Sequence, residues 1–112
     1  MDAALQQARE HFLQGVQHFE AGRFAEARLC FEASLALAPG RASVLVNLGI
    51  TLFRLGEWHR AIPLLQQATA ADPGQADAWA FLGLSHEAIG QWQPAADSLM
   101  RALEISPQHP GL

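Results

Sequence analysis

The stretch "LGEWHRA" at residues 55–61 packs a glycine, a glutamate, a tryptophan, a histidine and an arginine into seven positions. Taken alone, it has the ingredients of a small site: an acid, a base and an aromatic platform. Two other stretches change that reading. "AGRFAEA" at 21–27 and "IGQWQPA" at 89–95 share its glycine, its aromatic residue and its closing alanine, each displaced by 34 residues. The recurring residues are those a tight helix-to-helix bend requires. Glu57, His59 and Arg60 differ between copies and are expected to face solvent. The stretch is a hairpin bend, and the 34-residue period behind it decides the fold.

The period runs through the chain. Gly15, Gly49 and Gly83 keep it, as do Gly22, Gly56 and Gly90. Ala8, Ala42 and Ala76 form a third column; Ala27, Ala61 and Ala95 a fourth; Pro39, Pro73 and Pro107 a fifth. Five identical columns in three copies mark an internal repeat, which fixes the architecture before any local argument. Apolar character persists where identity does not: Phe24, Trp58 and Trp92; Phe31, Leu65 and Leu99; Val16, Ile50 and Leu84.

Each unit contains two helices. In the second, Leu45, Leu48, Leu52 and Leu55 fall at helical spacing over 43–55, and Gly56 can take the left-handed conformation that closes a helix. The next helix is predicted from Trp58 to about Ala71, ending before Pro73, which has no N–H to donate. Pro63 falls inside this helix, where it should remove one bond to His59 and bend it slightly, while Pro94 sits harmlessly in a first turn. Asp2 is the expected N-cap of the first helix. Gly15, Gly49 and Gly83 each cost their helix about 1 kcal/mol relative to alanine. A cost repeated at one register predicts two helices crossing closely there. Composition agrees: half the residues are hydrophobic, alanine and leucine dominate, and only 16% are charged.

These columns resemble the tetratricopeptide repeat over residues 8–109. The third unit carries the signature with Trp79, Leu82, Gly83, Ala95, Leu99, Ala102 and Pro107. The second carries it with Leu45, Leu48, Gly49, Leu52, Ala61, Leu65, Ala68 and Pro73. The first keeps Gly15, Ala27, Phe31 and Pro39 but places His11 and Gln14 where large apolar residues are usual, as suits a terminal unit packed on one side only. The resemblance implies an all-α fold: a right-handed superhelical array of three antiparallel helix-turn-helix repeats, six helices in all. It also implies one domain over 1–112, with units near 8–41, 42–75 and 76–109.

Catalysis has no support in these residues. His18 and His86 share one repeat position that the family fills with a packing residue, and they are expected to be semi-buried. "HEAIG" at 86–90 lacks the second histidine a zinc motif needs. Cys30 lies within a helix, away from any terminus that would activate its thiol, and a single cysteine makes no intramolecular disulfide. No enzyme activity, catalytic residue, metal or cofactor is expected. A net charge of -4 without a basic patch speaks against nucleic acid. No segment has the length or character of a signal peptide or membrane span, so a soluble cytoplasmic protein is the expectation.

In the resembling family, the first helices line a concave face that binds an extended peptide or a helix. The corresponding positions here are Arg9, Phe12, Val16 and Phe19; Ser43, Val46, Asn47, Ile50, Phe53 and Arg54; Asp77, Ala80, Phe81, Leu84 and Glu87. Some members grip a C-terminal carboxylate with lysines, asparagines and an arginine on this face. Only Asn47 matches that clamp; Phe12, Val16, Asp77 and Phe81 occupy its other positions, so the clamp is predicted absent. What remains is an apolar trough of four phenylalanines with Val16, Ile50 and Leu84, edged by Arg54, Asp77 and Glu87. The expected function is a non-catalytic protein-interaction scaffold for an apolar or amphipathic segment.

The tail "SPQHPGL" at 106–112 carries two prolines, so no clear C-terminal capping helix is expected. Leu99, Leu103 and Ile105 should then show an apolar face. Two alternatives account for it: this is the interaction domain of a longer protein, or it forms a homo-oligomer through this end.

Overall fold

The computed structural model describes residues 2–109, and within them every regular element is helical. In chain order they are α1 (Ala3–Glu20), α2 (Phe24–Leu37), α3 (Ala42–Arg54), α4 (Trp58–Ala71), α5 (Ala76–Ala88) and α6 (Trp92–Ile105). α3 lies one residue earlier than the spacing predicts, and α4 has the predicted bounds. Asp2 caps α1, its carboxylate accepting from the Ala4 N–H at 2.9 Å. Pro63 sits on the exposed side of α4, which continues through it.

"LGEWHRA" is the bend. Gly56 has φ 77°, and the Glu57 N–H reaches back to the Leu52 carbonyl at 2.9 Å, satisfying one orphan acceptor of α3. The same closure recurs from Arg23 to His18 and from Gln91 to His86. Ala61, fully buried, lets α3 and α4 approach.

The helices pack as α1–α2, α3–α4 and α5–α6 hairpins, and each second helix also packs on the first helix of the next hairpin. First helices touch one another as well, α1 with α3 and α3 with α5, whereas α2, α4 and α6 make no such mutual approach. The stack therefore curves toward its first helices, which line the inner side. Phe31, Leu48, Leu52 and Leu65 form the continuous core between layers. A second cluster of Leu45, Val46, Ala68 and Ala78 fills the joint between the second and third hairpins.

On the outer side, long side chains span the gap between α2 and α4. Arg28 donates to Glu57 at 3.0 Å, Arg60 donates to Glu57 at 2.8 Å, and Arg60 lies 3.5 Å from Glu32. The hydrogen bond from Arg60 holds the Glu57 carboxyl below the ordinary carboxylate range. Glu57 and Arg60 thus do more than face solvent: they tie one hairpin to the next.

The end of the chain bears on the apolar face expected there. Ser106–His109 is non-helical, and residues 110–112 of the tail lie outside the described residues. Leu103 and Ile105 are exposed, while Leu99 is half-buried against Gly83. Trp92 is more open than any of them, at 68%.

Candidate functional site

The inner side is built from α1, α3 and α5, and it brings most of the expected trough residues together. Phe12, Val16, Phe19, Phe53 and Phe81 are all half-buried with one side against the core. Ring pairs hold them. Phe53 and Phe81 meet edge to face across the α3–α5 joint, with centroids 5.4 Å apart. Phe12 tilts onto the buried Phe31 at 5.8 Å, and Phe19 meets Phe24 at 5.1 Å. The phenylalanines form the floor of the trough, not free-standing knobs, because each edge or face left open to solvent is matched by one that is packed.

Ile50 and Leu84 are half-buried on the same side, and Leu84 rests on neither core cluster. Arg54 is exposed, with its guanidinium carbon 6.0 Å from the Phe81 ring centroid. Glu87 is exposed. Two assignments need correction. Val46, packed in the joint between the second and third hairpins, is only 5% exposed and Ala80 1%, so neither offers surface to a ligand. A repeat-position map cannot separate an inward position from one that the neighbouring first helix covers.

The polar members are also partly engaged. The Asn47 side-chain amide donates to the Ser43 carbonyl of its own helix at 2.7 Å. Asp77 accepts from the His109 imidazole, which folds back from beyond α6. His86 is buried and bonded to Gln91, and the His18 ring accepts from Arg23 Nε at 2.9 Å. Both occupy the packing position the repeat assigns them.

At the end of the inner side, where α1 and α3 begin, the trough opens into a cleft of about 900 Å³. Leu5, Phe12 and Leu13 are its large apolar lining, and Arg9, Glu10 and Arg41 line it as well. Leu5 and Leu13 are exposed, at 42% and 50%. Sequence reasoning included Arg9 and Phe12 but missed Leu5 and Arg41, which fall outside the repeat's ligand-facing positions, and Leu13, which shares its column with Asn47 and Phe81. Leu5 carried a signal of its own, since 5, 9, 12 and 16 continue one helical stripe.

Two tetratricopeptide repeat family models match, one over residues 46–110 and one over 13–73. No curated protein matches the chain significantly. Among solved structures, the chain is similar to the Arabidopsis OM64 TPR domain, with a TM-score of 0.92 at 16% identity, covering 97% of this chain and 90% of that one. It is similar to the first TPR of Spaghetti (RPAP3) bound to the HSP90 peptide SRMEEVD, with a TM-score of 0.89 at 22% identity over 96% and 85% of the two chains. A third likeness is to MamA from Desulfovibrio magneticus RS-1, at 22% identity and a TM-score of 0.86, covering 91% of this chain and 58% of that one. The period, the hairpins and both family models agree: the chain belongs to the tetratricopeptide repeat family.

Proposed function

We propose that this protein, a protein-interaction module by family, binds an apolar or amphipathic segment of a partner along the inner trough, without catalysis of its own. The observation that carries this is the half-buried row of Phe12, Phe53 and Phe81 with Ile50 and Leu84, an open apolar floor on the face that first helices line. The bound peptide of the Spaghetti relative supports peptide capture on this fold. Its acidic terminus does not suit the clamp positions here, where Phe12, Val16, Asp77 and Phe81 replace donors and Asn47 is bonded to its own helix. Burial of the ligand's apolar side chains supplies most of the affinity, and edge charges set register. One domain of three units in the cytoplasm belongs to the same reading.

Leu84→Asp tests it most cleanly, because Phe53 and Phe81 support the fold as well as the floor. With a fluorescein-labelled amphipathic helical peptide bearing leucines at i, i+3 and i+7, Leu84→Asp should lose about tenfold or more in affinity. Helicity and melting temperature should stay near wild type. Unchanged affinity would sink the trough.

A second reading, self-association, is favoured by α6. Trp58 on α4 is 36% exposed, and its counterpart Trp92 on α6 is 68%. Thr69 is 7% exposed and its counterpart Leu103 is 41%. Trp92, Ala96, Leu99 and Leu103 are spaced 4, 3 and 4, a pattern unchanged by reversal. An antiparallel two-fold pairing of α6 therefore sets Trp92 against Leu103 and Ala96 against Leu99 across the pair. Stacking α6 onto the start of another copy is disfavoured by His11, Gln14 and His18 at the facing positions of α1. Light scattering on wild type and Leu103→Lys decides this: a dimer converted to monomer supports it, and a wild-type monomer at high micromolar concentration removes it.

A further inference from the structure

The cleft at the α1–α3 mouth has a chemistry unlike the rest of the trough. All seven basic residues of the chain are arginines. Five of them are engaged: Arg23 with His18 and Glu26, Arg28 and Arg60 with Glu57, Arg54 over Phe81, and Arg101 with Trp79 and Glu104. Arg9 and Arg41 make no side-chain hydrogen bond, ion pair or ring contact among the described residues, and both border this cleft. Glu10 is the one acidic group beside them, so the cleft edge is net positive in a chain of net charge -4. The same cleft has apolar wall, with Leu5 and Leu13 among the most exposed leucines of the molecule.

We propose that this cleft anchors the acidic end of the bound segment, taking a large apolar side chain between Leu5 and Leu13 and a neighbouring carboxylate on Arg9 and Arg41. The inference rests on the trough reading and adds direction to it. Planar guanidinium groups suit carboxylates because two parallel N–H donors match two oxygens. The apolar wall beside them seats the neighbouring side chain, while the exposed charge pair stays open to screening by salt. The far side of the trough carries two carboxylates, Asp77 and Glu87 on α5, against one guanidinium, Arg54 over Phe81. A segment acidic at one end is therefore held with that end at α1 and its uncharged remainder toward α5. This subsite shares only Phe12 with the clamp positions, and its donors, Arg9 and Arg41, lie outside them.

The test uses two labelled ten-residue probes, each with two leucines followed by either two glutamates or two glutamines. At low salt the wild type should bind the glutamate probe about tenfold tighter than its glutamine twin, a preference that fades as added salt screens the pair. Arg9→Gln/Arg41→Gln, both at exposed positions, should equalise the probes. Equal binding of both probes by wild type overturns the proposal, as does a preference that survives the double substitution. The trough is judged separately by Leu84→Asp. If that variant weakens the glutamine probe while wild type shows no charge preference, the trough stands and the cleft falls. A charge preference with no effect of Leu84→Asp leaves the cleft standing and removes the trough, and no binding of either probe overturns both.

Discussion

Gly49→Ala should lower stability by about 1–2 kcal/mol in urea unfolding, although alanine favours helix over glycine by about 1 kcal/mol. A Cβ on Gly49 would stand 2.6 Å from both Cγ and Cδ2 of Leu65. Leu65 is fully buried in α4, so it has no free direction in which to yield. The two helices must separate instead, and that loosens the contacts of Leu48 and Leu52 in the same layer. Gly56→Ala provides the contrast. Nothing lies within 4 Å of its Cβ position, and its cost comes from φ 77° alone. The two effects differ in their dependence on Leu65. Combined with Leu65→Ala, Gly49→Ala should cost much less than on its own, or even recover stability by filling the space left. Gly56→Ala should simply add. Additivity in both pairs, or a stabilising Gly49→Ala, would mean the crossing is looser than the structure has it.

That crossing was legible in the sequence, and the reason is physical. A glycine inside a helix is a local cost, and the same cost at Gly15, Gly49 and Gly83 makes sense only if each helix meets its partner at that register. Turns were legible for the same reason, since Gly56 stands where the chain needs positive φ. The face was less so. Periodicity tells which side of α3 Val46 and Ile50 share, but not that α5 covers Val46 and leaves Ile50 half-open. The outer ion pairs were illegible: Arg28, Glu32, Glu57 and Arg60 do not recur at the repeat interval, and their meeting depends on how α2 and α4 splay. The cleft escaped for a related reason. It is made where repetition begins, from Leu5 before the first unit and Arg41 at the junction with the second, so the columns mark only its Arg9, Phe12 and Leu13 part.

Phe31→Ala should have the largest effect on the fold, about 3–5 kcal/mol, a large part of the roughly 5–15 kcal/mol that holds a domain of this kind. Phe31 is fully buried, and its ring fills the space beside Gly15, where an added Cβ would come within 2.6 Å of it. Units two and three place Leu65 and Leu99 at this column against Gly49 and Gly83. Phe31→Leu therefore restores the residue the other layers use and should cost only about 1 kcal/mol. The consequence extends to the trough. Phe12 leans on the Phe31 ring, and Phe12 is also a wall of the α1–α3 cleft. With Phe31 truncated, Phe12 can drop into the vacated volume, withdrawing apolar surface from the end of the trough nearest Arg9. At temperatures where Phe31→Ala is still folded, the glutamate probe should bind it more weakly than it binds Phe31→Leu. Equal affinity for the two variants, with the stability difference intact, would show that the floor of the cleft does not depend on the core beneath it.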